Sequence, residues 1–476
     1  MLKIGIAIVA VVALLAVVGA VWWSLVGSRK PMGFLDYVRN PKAWKAQEDS
    51  IEAYQAAIVE ESKKPAEVLV EGLLENGDPL GTPSRAIKAA GPRVVPALLA
   101  AVNDPRFRVT LQESEWGFPR MPLDGVFDCL GEFAPPEAVR VVSPLATDED
   151  EDVRKIVALL LATIATDEAA PMVVELLKDK NDRVRRYAVM GIGRALRAGR
   201  VNEQFRKTMF DALTPVALAD GDKAPACLLR LDRERAIPIL TSQEALSADQ
   251  PHLHHILKGL REAKVEVDEG QLIALLAALE SSTIERKKER SVEQILLMLA
   301  TFRSEQALAT IENYMDHPSQ RIREGAAEAR LVAQGLDDPL GPVWDKLESE
   351  GWSGLTEPQR HVLAVRRLID EVNNGGFLQY FFNNSGDHWR DAAAGLEAIG
   401  ATGDRQLLDQ VLAFFKENSP SENRDSRHHQ IAAIAKQDDR PFDKIEKQFY
   451  KDTDSREVLL NEYILKSAGD FGTNVR

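Results

Sequence analysis

Apolar and polar positions follow two different patterns along this chain. Between Ile4 and Gly27 no residue is charged, and nearly every position is Ile, Val, Ala, Leu, Gly or Trp. As a helix rising about 1.5 Å per residue, this run reaches roughly 36 Å, enough to cross a hydrocarbon core of about 30 Å. Trp22 and Trp23 stand near its far end, where indoles favour the headgroup region, and Arg29 and Lys30 halt it. The pattern predicts an N-terminal transmembrane helix within an anchor over residues 1–30. Val18 and Ala20 also suit the small-residue rule of a cleavable signal peptide, but the run is too long for that segment and continues past the site. Lys3 precedes the run, whereas Arg29, Lys30, Arg39, Lys42 and Lys45 follow it, which places the large remainder in the cytoplasm by the positive-inside rule. Residues 31–64 read as a juxtamembrane connector with one helix over 42–63.

From about residue 66 the second pattern takes over. Short amphipathic helices alternate with turns bearing Asp, Pro or Gly, and no strand pattern intervenes. The clearest stripe is Val153, Ile156, Val157, Leu160, Leu161 and Ile164, spaced i, i+3, i+4, i+7, i+8, i+11. A second helix over 170–178 carries Val173, Val174, Leu176 and Leu177. The opening Glu151-Asp152-Val153-Arg154 then recurs as Asp182-Arg183-Val184-Arg185, and more weakly as Gln320-Arg321-Ile322-Arg323. Arg154 and Arg185 are 31 residues apart, the length of two short helices with their turns. Residues 92–104 read as the second helix of an earlier unit, with Val95, Leu98, Leu99 and Val102 inward. These openings resemble HEAT-type repeats, in which a polar turn precedes a helix beginning Val-Arg. The resemblance implies an α-solenoid over residues 65–340, because one helix pair cannot bury its apolar face without a stacked neighbour.

Composition agrees with an all-α chain: 45% of residues are hydrophobic, but only 6% are aromatic. The net charge of −14 argues against direct nucleic-acid binding, which needs cations to displace phosphate counterions. Cys129 and Cys227 form neither a disulfide framework nor a zinc spacing and read as packed thiols. Asp148 to Asp152 is a run of acids suited to capping the following helix. His252, His254 and His255 lack an accompanying carboxylate or thiolate at ligand spacing. Arg286, Lys287, Lys288 and Arg290 read as a solvated basic face. With no phosphate loop, nucleophile elbow or paired catalytic motif in view, the expectation is a non-enzyme with no cofactor and no metal.

One segment departs from ordinary helical texture. After the stripe Val362, Val365, Leu368, Ile369 and Val372 come Asn373, Asn374, Gly375, Gly376 and Phe377, a helix stop with a positive-φ residue followed by an aromatic cluster of Phe377, Tyr380, Phe381 and Phe382. Asn383-Asn384-Ser385-Gly386-Asp387 forms a second turn, with Ser385 or Asp387 placed to cap the next helix, which ends at Gly400. If this region is a ligand pocket rather than a structural turn, its lining is Asn373, Asn374, Gly375, Gly376, Phe377, Gln379, Tyr380, Asn383 and Gly386. Residues 371–401 resemble a domain of unknown function at the C-terminus of a bacterial DNA-mimic protein family. The resemblance implies a helical C-terminal domain over 341–476, and a bacterial inner membrane as the place of the anchor. It also implies mimicry of DNA toward a DNA-binding regulator. Residues 351–476, however, hold 20 acidic against 16 basic residues, a net of −4 where mimicry needs a dense field of one sign. The leading expectation is thus a membrane-anchored protein-binding scaffold. Its alternatives are a C-terminal small-ligand or enzymatic module and an acidic DNA-mimic regulator.

Overall fold

The computed structural model describes residues 54–74, 81–110, 121–281, 286–438, 440–451 and 455–472. Among them every regular element is helical. The expected membrane-spanning helix requires correction, and with it the bilayer partner and the single-pass inner-membrane location. No described helix is long and apolar enough to cross a membrane. The longest, Glu357–Phe382, carries Glu357, Arg360, Arg366, Arg367, Asp370 and Glu371 along its length, and charges at that density are incompatible with a hydrocarbon core. Residues 1–30, on which the expectation rested, lie outside the described residues, as does the connector up to residue 53.

The chain divides into two compact units that part between Ser291 and Val292. In the first, helices Ala66–Glu71, Thr82–Ala90, Val95–Val102, Pro122–Phe133 and Ala138–Val142 precede four that show the repeat most clearly. These are α1 (Glu151–Ile164), α2 (Ala170–Leu176), α3 (Asp182–Arg197) and α4 (Glu203–Ala219). Asp150 caps α1 by accepting from the Asp152 N–H at 2.8 Å, and Asn181 caps α3 by accepting from the Arg183 N–H at 2.8 Å. The stripe from Val153 to Ile164 is buried throughout; six such side chains contribute on the order of 10 kcal/mol as an upper bound. Leu99, expected inward, is only half-buried because it stands one position off the stripe set by Leu98 and Val102. α1 packs along α3, and α2 along α4. The first of these crossings is tight: a Cβ at Gly191 would sit 2.5 Å from the Leu159 carbonyl oxygen.

The recurring arginines tie the repeats together. Arg154 donates to the carbonyls of Asp148 and Glu149 at 2.7 and 3.0 Å, then reaches forward to Asp179 at 2.7 Å. Arg185 repeats the move one unit on, donating to the Asp179 carbonyl at 2.6 Å and to Asp220. Each guanidinium thus closes the loop before its own helix and engages the acid in the next loop. Burial alone would raise the Asp179 pKa, but hydrogen bonds from Arg154 and the Asn181 N–H outweigh it and hold that carboxyl below its ordinary value. The two cysteines are buried, and loss of water pushes the Cys129 thiol up to about 12 and Cys227 to about 11.

The second unit contains α5 (Gln320–Ala333), α6 (Gly341–Glu350), α7 (Glu357–Phe382), α8 (Trp389–Ile399), α9 (Thr402–Leu412), α10 (Arg424–Gln437), α11 (Asp443–Phe449) and α12 (Arg456–Lys466). Thr356 and Gln359 form a reciprocal capping box at the start of α7. Its stripe of Val362, Val365, Leu368 and Val372 enters a core shared with α8, α10 and α12. Arg456 and Asp404 form an ion pair, both nearly inaccessible to solvent, with Nε 2.5 Å from Oδ2.

Candidate functional site

Each unit holds, among the described residues, a region with the shape or chemistry of a site. The first is a groove of about 790 Å³ along α2 and α4. Val174, Leu177, Ala212 and Pro215 give it apolar walls, with Lys178 and Lys207 at its rim. Pro215 lies inside α4 and has no N–H to donate to the Asp211 carbonyl four residues earlier. Sequence reading did not find this groove; a proline interrupting an otherwise helical run was the local signal available.

The second region is the bend in α7. Gly375 and Gly376 have non-helical dihedrals, and Gly376 sits at φ 80°, ψ −178°, a conformation essentially confined to glycine. The bend turns the Phe377 N–H toward Glu446 of α11, to which it donates at 2.9 Å. It also drives the Phe377 ring between Phe442 and Phe449, both met edge-on at 6.3 and 5.4 Å between centroids. Phe377, Tyr380 and Phe381 are fully buried. Burial raises the Glu446 carboxyl, offset in part by that backbone hydrogen bond.

The residues expected to line a pocket separate into two groups. Asn373, Asn374 and Gly375 are exposed at the outside of the bend. Gln379 and Asn383 point instead to Glu371, each donating at 2.8 Å, and Ser385 donates to the same carboxylate at 3.0 Å. Gly386 is buried where a Cβ would meet the Tyr380 carbonyl oxygen at 2.8 Å. Neither Ser385 nor Asp387 caps the following helix: α8 starts from His388 without a side-chain cap. Asp387 instead pairs with the fully buried Arg427, whose guanidinium requires a carboxylate more than a helix end does.

Arg427 was not anticipated, yet its signal was present. It donates to the Ser421 and Glu422 carbonyls at 2.7 and 3.2 Å, six and five residues earlier, as Arg154 does to 148 and 149. Like Arg154, Arg185 and Arg323, it stands four residues after the helix N-cap, here Asn423. It also holds the outgoing turn, donating to the Phe381 and Asn383 carbonyls at 2.7 and 3.1 Å.

Around Arg367 on α7 the chemistry is different. Its guanidinium lies over the rings of Trp344 and Trp352, at 5.3 and 5.4 Å from their centroids. Trp352 in turn stacks on His388 at 3.6 Å and donates from Nε1 to Asp391 at 2.9 Å. Burial lowers the His388 imidazole from its ordinary value.

The class so defined is a helical-repeat chain carrying, after the repeats, a separate helical unit built on a glycine-bent helix. Comparison with known families makes this specific. Residues 125–193 match the family model for HEAT repeats, and residues 353–467 match that for DMP19-like protein. No curated protein matches the chain.

Proposed function

We propose that the chain is a protein-interaction scaffold whose repeat groove along α2 and α4 receives a segment of a partner protein. The observation that carries this is the groove itself: apolar walls, a proline within one of its helices and two lysines at the rim, set in stacked repeats. Stacked helix pairs present extended surfaces suited to peptides and proteins, and an apolar trough with a few polar groups is the usual form of a binding site. The match to HEAT repeats supports the same reading. The test compares proteins recovered by the full chain and by an Ala212→Arg variant, which fills the groove. A partner retained by the first and lost by the second, at equal thermal stability, is the expected result. Identical recoveries by both would overturn the reading.

The match to DMP19-like protein favours a second reading, in which the partner is a DNA-binding protein. The near-balanced charge of residues 351–476 weighs against imitation of a phosphate backbone. If that reading holds, the association falls steeply as salt rises; an association indifferent to salt excludes it.

A further inference from the structure

We propose that the groove along α2 and α4 receives an acidic amphipathic helix of a partner protein, an inference that rests on the groove being the partner site. Its length sets the size of the occupant. The lining on α4 runs from Gln204 to Ala219, roughly 22 Å at about 1.5 Å per residue, or about four helical turns. Val174, Leu177 and Lys178 line the other side. A trough drawn out over that length suits a rod more than a compact small molecule. Backbone chemistry then decides between helix and strand. Every described regular element is helical, so among the described residues the groove offers no sheet edge for a strand to join. An extended segment would set unpaired N–H and C=O groups against Val174, Leu177, Ala212 and Val216, whereas a helix satisfies its own.

The charges of the lining decide the sign of the partner. Two acids line the groove, Asp211 and Asp220, and each has its own cation. Asp211 accepts from Arg235 at 2.8 Å, and Asp220 accepts from Arg185 at 2.9 Å. Lys178 lies 3.1 Å from Glu175, three residues earlier, with both side chains largely exposed. Such a pair contributes little and yields readily to a better-placed carboxylate. Lys207 is exposed and, among the described residues, forms no hydrogen bond and no ion pair. The groove therefore has positive charge left over, in a chain whose net charge is −14. An incoming helix with acidic flanks meets Lys207 and Lys178 while its apolar stripe meets the walls; basic flanks would meet cations and no free carboxylate. This selection disfavours a basic DNA-binding protein as the occupant of the groove.

The test selects from a displayed library of peptides that share a leucine stripe at helical spacing and differ at the flanking positions. The full chain and its Ala212→Arg variant are the two baits. Peptides retained by the first and lost by the second should carry Asp and Glu in excess over Lys and Arg. The tightest, synthesised and followed by fluorescence anisotropy, should bind Lys207→Glu about three- to tenfold more weakly, the scale of an exposed ion pair made repulsive. Its counterpart with Lys in place of the acids should regain that loss on the variant. Because Lys207 is exposed and unpaired, Lys207→Glu should melt at the same temperature as the parent chain. Groove-dependent peptides with neutral or basic flanks, or with binding indifferent to Lys207→Glu, overturn the inference and leave the groove reading standing. Recovery of no groove-dependent peptide overturns both. A dimer of the chain alone in sedimentation, dissociated by Ala212→Arg, assigns the groove to a second copy and also overturns the acidic partner.

Discussion

Gly376→Ala is the sharpest perturbation of the second unit, because two independent costs meet at one atom. The backbone sits at φ 80°, ψ −178°, where a residue with a Cβ costs about 1–3 kcal/mol. That Cβ would also lie 2.3 Å from Glu446 Oε1. The carboxylate is the far end of a flexible side chain and can withdraw, but withdrawing breaks the 2.9 Å bond from the Phe377 N–H, a bond to a charged group contributing about 1.5–3 kcal/mol. The sum is about 2.5–6 kcal/mol, a large part of the ~5–15 kcal/mol that stabilises a typical domain. The assay is denaturant unfolding followed by near-ultraviolet circular dichroism, to which Trp389 contributes through its fixed bond to the Pro420 carbonyl at 3.0 Å. In a Glu446→Ala background the additional cost of Gly376→Ala should fall to the backbone part alone, about 1–3 kcal/mol. Gly375→Ala has φ −159° and so meets no left-handed strain; its Cβ faces the Gln379 amide, and its cost should be smaller. A Gly376→Ala cost under about 0.5 kcal/mol, within the range of ordinary surface changes, or a larger cost at Gly375, would refute the reasoning.

Other consequences can be checked in the same way. Arg456→Met should destabilise the chain by about 3–5 kcal/mol, because it strands the buried Asp404 charge; chemical denaturation reads this. Glu446→Gln should be neutral or stabilising at pH 7: burial raises that carboxyl, so its charge opposes folding above the ordinary carboxylate range, while the amide oxygen still accepts from Phe377. Asp179 has the opposite sign. Its folded pKa is depressed, so its contribution is present above the ordinary aspartate value and is lost as pH falls through the folded one. Asp179→Asn should therefore flatten the acid limb of stability against pH. Cys129 and Cys227, with thiols near 12 and 11, should resist alkylation at pH 8 in the folded chain and react once it is unfolded.

How much of this was legible in the sequence follows from how local each feature is. The stripe from Val153 to Ile164 and the Val-Arg openings depend on spacing within one helix, and both appear in the structure with Asp150 and Asn181 as caps. The glycine pair was legible as a break, and the positive φ falls on Gly376. Its purpose was not, because Glu446 lies 70 residues further on. The same non-local return decided the polar residues: Gln379, Asn383 and Ser385 converge on Glu371 only because the helix bends between them. Arg427 carried a readable signal, an arginine four positions after an N-cap, but that rule became visible only once Arg154 and Arg185 were seen closing their loops. Trp344, Trp352 and Arg367 come from separate elements, and the groove depends on how α2 lies along α4; neither has a sequence period.

The claim that stacked repeats hold a partner in the α2–α4 groove is tested most directly by site-specific photocrosslinking in the full chain. A crosslinking residue placed at Thr208, in the groove, should capture a defined protein that one placed at Arg186, exposed on α3 and outside the groove, does not. Capture at both positions alike, or at neither, would contradict the account.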